Sequence, residues 1–490
     1  MGTPMLRVLG SAKKFCDGIT RRDLLQAGGL SVFGLGLNQL LEGAELRARS
    51  APARNVIMLF LYGGASQLDT FDPKPDAPED IRGPFQTIPT TVPGVRLSEH
   101  LPQLAQRLHK VSLVRSMSHP HPIHGVAYAV TGIDRVDIPM ELNRNDTRHW
   151  PYFGSVLDYL EDVDQRSQAL PPVPRVMHLP WVQSTRSNPH QRAGLFGGFL
   201  GPRYNPVVAE FTGRGTNPNT YRPNDPYGGV EADCRFEILN TGMPQTMTVD
   251  RLSGRLNLLR QMDAARRTLE QTATTNAWDR NQQMALSVMT SPRLREALDL
   301  RQEPVQVRDR YGRHLFGQST LLARRLIEAG SRLVSVFWDE FGRSCGAWDT
   351  HERQTQRLSR ELCPGFDQSF AALLDDLEQR GMLEETLILC FTEHGRTPVA
   401  ERRNGQADGR GHWSQAYSIM LAGAGIAQGH VIGRSDARAS HVADRPVNPK
   451  DILHTVYSLL GVDPHRTIPD RLGRPLPLVS EGEVVRELLG

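Results

Sequence analysis

Residues 386–398 read TLILCFTEHGRTP: an apolar, β-branched run rises to Phe391, and Glu393, His394 and Arg396 follow. An acid, an imidazole and a guanidinium at the end of a buried strand call for a polar partner. His412 stands in GRGHWSQAYSIMLAG, just ahead of the next apolar run. Glu393, His394 and His412, at the ends of adjacent strands, are placed to share a metal ion; solvated strand ends are the competing reading. In WDTHERQ, Asp349 and His351 are two apart, so an extended segment puts them on one face. Carboxylate plus imidazole suits zinc or manganese, although a surface turn can carry the same pair. His119, His121 and His124 crowd the stretch SMSHPHPIHGVAYAVTG, ahead of small apolar residues suited to a helix; a surface loop would also hold them. In GGASQLDTFDPKP, two glycines precede Ser66, Asp69 and Asp72. Glycine turns sharply and lets backbone N–H groups approach a ligand; a turn with Asx caps is the alternative.

These residues sit after continuous apolar runs. Asn55–Tyr62 is the strongest, and Val111–Ser116, Arg332–Trp338, Thr386–Phe391 and Tyr417–Gly423 are similar. Unbroken apolar strands are covered on both faces. Amphipathic patterns over Glu99–Leu108, Ser319–Ala329, Gln354–Gln379 and Pro449–Leu460 predict helices between them. The alternation predicts an α/β fold, a mostly parallel sheet sandwiched by helices, with ligands gathering at the carboxyl ends of the strands. Pro171–Asp233, rich in Pro, Gly and Asn, reads as a long irregular insertion, and Asp250–Leu300 as a charged helical cap or oligomer surface. Together they make 170–300 an insertion within a domain spanning 54–490.

The first 53 residues read as an address. Arg21 and Arg22 precede an uncharged, Gly-rich stretch from Leu24 to Leu41 that Gln26, Asn38 and Gln39 make too polar for a stable membrane span. Ala51-Pro52-Ala53 offers a cleavage site. Thr-Arg-Arg-x-Leu-Leu resembles the bacterial twin-arginine signal, which implies the twin-arginine export machinery as a partner and the periplasm or cell surface as destination. A net charge of +3 and the lack of basic runs with interleaved aromatics argue against nucleic acid. The five cysteines, Cys16, Cys234, Cys345, Cys363 and Cys390, form no C-x-x-C pair and fit neither a zinc site nor a disulfide framework.

Taken in order, Gly-Gly-x-Ser-Gln-x-Asp-Thr-Phe-Asp-Pro-Lys-Pro, Trp-Asp-Thr-His, Glu-x-Gly-Arg-Thr-Pro and Gly-x-x-His-Trp resemble the DUF1501 family, from about Asn55 onward. The closing LLGVDPHRTIPDRLGRPLPLV fits as well. The resemblance implies an exported bacterial protein with an alkaline phosphatase-like, sulfatase-like fold. In that superfamily a late strand ends in Asp-His-Gly with both side chains on metal, and Glu393-His394-Gly395 takes that place. His412 matches a further ligand. Asp349 and His351 resemble an upstream Asp and His pair at shorter spacing. Sulfatases place Cys or Ser ahead of a helix-ending Thr-Gly. Here Thr131-Gly132 is preceded by His121-Pro122-Ile123-His124, so formylglycine chemistry is not expected. Three routes stay open: attack by His124 or His121, attack by metal-activated water, or loss of hydrolysis with binding retained. The implied function is hydrolysis of phosphate or sulfate esters, on an anionic substrate such as a sulfated or phosphorylated saccharide. The alternative is an inactive exported binding protein of the cell envelope. The expected metal ligands for divalent zinc, manganese or calcium are Asp349, His351, Glu393, His394 and His412, with Asp69 or Asp72 contributing. His124, His121, Arg396 and Ser66 are the catalytic candidates, with Arg396 holding an anionic oxygen.

Overall fold

The computed structural model describes residues 52–135, 137, 141–144, 146–164, 171–183, 192–212, 235–238, 288–338, 346–401 and 408–490. The chain divides into two units, Met1–Pro52 and Ala53–Gly490. The expected export signal, with Arg21 and Arg22, lies outside the described residues.

The elements that position the site, in chain order, begin with β1 (Asn55–Phe60), β2 (Val111–Met117), α1 (Val126–Thr131) and α2 (Phe153–Asp164). Then come β3 (Val176–Leu179), β4 (Val207–Val208), α3 (Leu315–Glu328), β5 (Leu333–Phe337) and α4 (Cys363–Gln379). The last are β6 (Thr386–Phe391), β7 (Gly395–Arg396), β8 (His412–Trp413), β9 (Tyr417–Ala422), β10 (Val431–Ile432) and α5 (Pro449–Leu459). Eight strands form one sheet in the order β10-β2-β9-β6-β1-β5-β3-β4. Helices cover both faces, as the apolar runs predict. In β1, Ile57 and Leu59 pack into the layer of α3 and α4, while Val56, Met58 and Phe60 pack into that of α1, α2 and α5. Each fully buried side chain of this kind stabilises the fold by about 1.5–3 kcal/mol. No polar alternation appears because neither face meets water.

Strand direction decides where the polar residues gather. β1 pairs in parallel with β6 and β5, β5 with β3, β3 with β4, and β10 with β2. β9 alone is reversed, antiparallel to both β6 and β2. The start of β9 therefore lies at the same rim as the ends of β1, β2, β5 and β6. A residue that precedes β9 can meet residues that follow the other four.

Local sequence explains the helix ends. α5 opens on a capping box: Asn448 accepts from the Asp451 backbone N–H, the Asp451 carboxylate accepts from Asn448 N–H, and Pro449 sits at the first helical position. α1 ends where Gly132 adopts φ 67°, a left-handed stop that suits glycine. Three expectations are refined. Glu99–Leu108 forms only the turn Pro102–Ala105, its Gln103 and Leu104 N–H groups held by Asp367. The predicted helix over 354–379 is interrupted by a π turn at Leu358–Leu362. The segment read as irregular supplies β3 and β4, whose backbone groups complete the sheet edge beyond β5. Of the expected helical region 250–300, a helix over Pro292–Leu298 lies within the described residues.

Candidate functional site

Four chain segments converge at this rim. After β1, Gly63 and Gly64 take φ of 107° and 90°. A Cβ on Gly63 would stand 2.3 Å from the Asp349 backbone N, and one on Gly64 2.4 Å from His394 Nδ1. Only glycine tolerates both the conformation and the approach. Gly63 N–H donates to Glu393 Oε1 at 2.8 Å. After β5 the chain returns so that Trp348 N–H donates to the Tyr62 carbonyl at 2.8 Å, which sets Asp349 beside that turn. β7 and β8 pair with Arg396 opposite His412, which carries His412 back over the end of β6.

Asp349 is the hub. Its Oδ1 lies 3.2 Å from His412 Nε2 and 3.1 Å from His351 Nε2, and those two nitrogens are 3.1 Å apart. Ligands bound about 2.1 Å from one tetrahedral ion stand roughly 3.4 Å from each other, so this triangle has the size of a metal face. His351 Nδ1 faces Glu401 Oε2 at 3.4 Å. A carboxylate only accepts, so this contact calls for the proton on Nδ1, the tautomer that would leave the Nε2 lone pair for an ion. Burial would raise the Asp349 carboxyl, but the Arg396 guanidinium and the imidazoles of His124, His351 and His412 hold it far below the usual carboxylate range.

His394 adds a second sign. It is fully buried, and its Nδ1 donates to the Gly395 carbonyl at 2.9 Å. Its Nε2 is left with a lone pair and no hydrogen-bond partner among the described residues; the same holds for Glu393 Oε2. Burial, reinforced by His412, His124 and Arg396, pushes the His394 imidazole well below its ordinary value, so it stays neutral. An unsatisfied buried acceptor costs about 1–3 kcal/mol. His124, His394 and His412 offer ligand atoms within 4.8 Å of one another, as do Asp349, His351 and His412. Orphaned acceptors beside a cluster of imidazole and carboxylate donors fit a divalent ion.

His124 bridges the two acids. Its Nδ1 is 2.9 Å from Glu393 Oε1 and its Nε2 3.3 Å from Asp349 Oδ2. Burial would lower its pKa, yet the two carboxylates outweigh burial and raise it. Both nitrogens face carboxylate oxygens, an arrangement that suits holding a proton between the two acids better than attack on an ester or service as a metal ligand. The His121 ring neighbours His119 and Tyr128, with centroids 6.1 and 6.0 Å away, and makes no hydrogen bond to the acids among the described residues. Arg396 is wholly buried and donates to Gly64 O at 3.0 Å, Arg410 O at 3.0 Å and Asp349 Oδ1 at 2.5 Å. It clamps Asp349 and has no face open to a substrate oxygen.

The first-strand residues serve as frame. Ser66 gives its hydroxyl to Asp69 Oδ2 at 2.5 Å. The same Asp69 oxygen takes Arg410 Nε at 2.8 Å and Gln354 Nε2 at 2.9 Å. Asp72 faces Lys74 at 3.0 Å and Arg115 at 3.4 Å and accepts from Ser435. Each acid is neutralised by cations of its own, and neither joins the Asp349 cluster. Gln67 locks β7 by accepting from Arg396 N–H at 3.0 Å and donating to its carbonyl at 2.9 Å.

Three contributors escaped the sequence reading. Glu401 orients His351, but its setting AERRNG looks like a surface turn. Arg410 carries the Asp69 frame and lends its carbonyl to Arg396. His119, noticed only as one of a histidine group, faces the Glu393 carbonyl at 2.7 Å while its own N–H reaches Ser414 O at 2.8 Å. Burial pushes its imidazole down to about 4, so it stays neutral and ties the ends of β2 and β6 to the start of β9.

The family described as "Protein of unknown function (DUF1501)" matches residues 53–489. No curated protein matches. Among solved structures, Ps i-CgsB in complex with k-i-k-neocarrahexaose is 12% identical, with 84% of this chain and 73% of that one covered at a TM-score of 0.39. A protein in the alkaline phosphatase superfamily from Vibrio parahaemolyticus is 10% identical, covering 84% and 67% at 0.37. The PsFucS1 sulfatase from Pseudoalteromonas sp. is 13% identical, covering 86% and 70% at 0.36. Likeness this distant passes nothing about activity to this chain.

Proposed function

This chain belongs to the DUF1501 family, and we propose that it is an exported, divalent-metal-dependent hydrolase of phosphate or sulfate esters. The observation that carries the reading is the triangle of Asp349 Oδ1, His351 Nε2 and His412 Nε2, with edges of 3.1–3.2 Å. These three would hold the ion, and His394, whose Nε2 has no hydrogen-bond partner among the described residues and which clusters with His412, would be the next ligand. Three imidazoles favour zinc over calcium. When bound, such an ion supplies a Lewis acid that neutralises charge on the transferred group and lowers the pKa of water towards roughly 7. The protein's own part is preorganisation. Arg396 fixes Asp349, Glu401 turns the His351 lone pair inward, and His119 pins the Glu393 backbone. His124 holds a proton between Glu393 Oε1 and Asp349 Oδ2, which keeps two buried carboxylates from repelling each other. The substrate class is an anionic ester such as a sulfated or phosphorylated saccharide.

Residues 1–53 act as a twin-arginine signal that delivers the domain of 54–490 to the periplasm or cell surface; the Arg21-Arg22 pair and the weakly apolar stretch after it support this. Replacing both arginines by lysine retains the protein in the cytoplasm if that reading holds, and unchanged export removes it.

The engagement of both His124 nitrogens and of the Ser66 hydroxyl favours one second reading: an exported protein that binds metal and an anionic ligand without turnover. Metal content of the purified chain, then turnover of aryl phosphate and aryl sulfate with added zinc, manganese or calcium, separates the two. Hydrolysis abolished in the Glu393→Ala/His412→Ala double variant supports the enzyme. Equal turnover in both proteins eliminates it, and bound metal without turnover selects the second reading.

A further inference from the structure

The cluster draws Asp349 and His351 from one chain segment and His412 from another, 61 positions beyond His351, yet the two ring nitrogens stand 3.1 Å apart. Contacts between the two arms must set that spacing. The arms touch directly: Arg410 N–H donates to the Thr350 carbonyl at 3.1 Å, and a Cβ on Gly409 would stand 1.8 Å from the His351 carbonyl oxygen. Both arms also reach one oxygen of Asp69. On the first arm, Gln354 Nε2 donates to Asp69 Oδ2 at 2.9 Å, while Gln354 Oε1 accepts at 2.8 Å from the hydroxyl of Thr350, the residue between Asp349 and His351. On the second arm, Arg410 Nε donates to the same oxygen at 2.8 Å, and Arg410 stands two residues before His412. The other Arg410 nitrogens are engaged as well, Nη1 with Thr397 O at 3.1 Å and Nη2 with Ile81 O at 2.8 Å. Asp69, Thr350, Gln354 and Arg410 are all buried, so water does not readily replace a lost partner. Asp72, three residues further on, offers a comparison. It is as buried as Asp69 but faces Lys74, Arg115 and Ser435, none of which belongs to either arm.

We propose that Asp69 is a positioning residue for the metal site: by holding Gln354 and Arg410 on one oxygen, it sets the spacing of the His351 and His412 arms, and with it the affinity and ligand geometry of the ion. The inference rests on the metal reading of the cluster. It gives Asp69 no contact with ion or substrate.

The test is zinc affinity of the full chain in competition with a chelator, together with the visible absorption of cobalt(II) in place of zinc, which reports ligand geometry. Asp69→Asn keeps the shape but loses the charge that meets Arg410. Its zinc binding weakens by at least about tenfold, as is typical when a partner behind a metal ligand is removed, and its cobalt spectrum changes. Asp72→Asn, whatever its effect on stability, shows neither change. Should Asp69→Asn fail to fold, Gln354→Leu releases the first arm alone; it shifts the cobalt spectrum and weakens zinc by a smaller factor. Affinity and spectrum unchanged in Asp69→Asn, or in Gln354→Leu where that variant stands in, overturn the positioning role. An equal change in Asp72→Asn also overturns it, because general loosening of the fold would then explain both. Wild type that binds no zinc fails the metal reading itself. Wild type that binds zinc, beside an Asp69→Asn that binds it as tightly, fails this inference alone.

Discussion

Glu401 Oε2 lies 3.4 Å from His351 Nδ1, on the side of that ring away from the candidate metal cluster, and favours the tautomer with the proton there. Carboxylates behind a metal-bound histidine typically matter by 10–100-fold in metal affinity. Glu401→Gln is therefore expected to weaken zinc binding by about 10–100-fold in competition with a chelator, with folding intact. An unchanged affinity removes the role. Asp349, His351, Glu393 and His412 stood out in the sequence as acids and imidazoles near the ends of apolar strands, and the structure brings Asp349, His351 and His412 within ligand distance of one another. The functions of Asp69, Ser66 and Arg396 were not legible, because the same side chains serve equally as frame. Which role each takes depends on the cation or acid that meets it, and those partners, Arg410 and Asp349 among them, lie 341 and 47 positions away.

Among the elements, α3 carries two features that can be tested. His314 caps its start, with Nδ1 accepting from Gly317 N–H at 3.2 Å, and burial pushes the imidazole down to about 3. A folded-state pKa below the unfolded 6.5 means the unfolded chain binds the proton first. The stability contribution is whole above pH 6.5 and is lost as pH falls from 6.5 towards 3. His314→Asn keeps a capping acceptor but does not titrate, so its denaturant midpoint should decline less steeply over that window than wild type. Parallel declines would refute the assignment. Further along α3, Arg324 is wholly buried, 2.7 Å from Glu303 and 2.9 Å from Asp376. Arg324→Met removes the wholly buried cation but leaves Glu303 with Arg325 and Asp376 with Arg380, so it should destabilise the fold in urea unfolding by less than the about 3–5 kcal/mol of a fully stranded charge. A change below about 1 kcal/mol would mean that Arg325 and Arg380 suffice for the two acids. The amphipathic pattern marked α3 and α5 well, since each buries one stripe. It overstated Glu99–Leu108, where one turn suffices once Asp367 holds the N–H groups.

For the molecule as a whole, the cluster joins the ends of β1, β2, β5 and β6 to the start of β9, so an ion that binds only the folded chain stabilises all of it. At 100-fold excess of zinc over its dissociation constant the gain is about 2.7 kcal/mol. Thermal scans should show the midpoint rising with zinc, returning with chelator, and staying flat in His412→Ala. A midpoint indifferent to zinc in wild type would sink the metal site. Among the described residues no helix is long and apolar enough to cross a membrane.

By itself the sequence determined the classes of element, because unbroken apolar runs must be covered on both faces and 3.6-residue periodicity must bury one stripe. It also marked most of the cluster, because acids and imidazoles at strand ends are costly without a partner. Only the tertiary structure decided which of them meet. The reversal of β9 brings a residue before one strand to the rim where residues after four others, β1, β2, β5 and β6, gather. Strand direction follows from pairing between distant segments, and no local pattern encodes it.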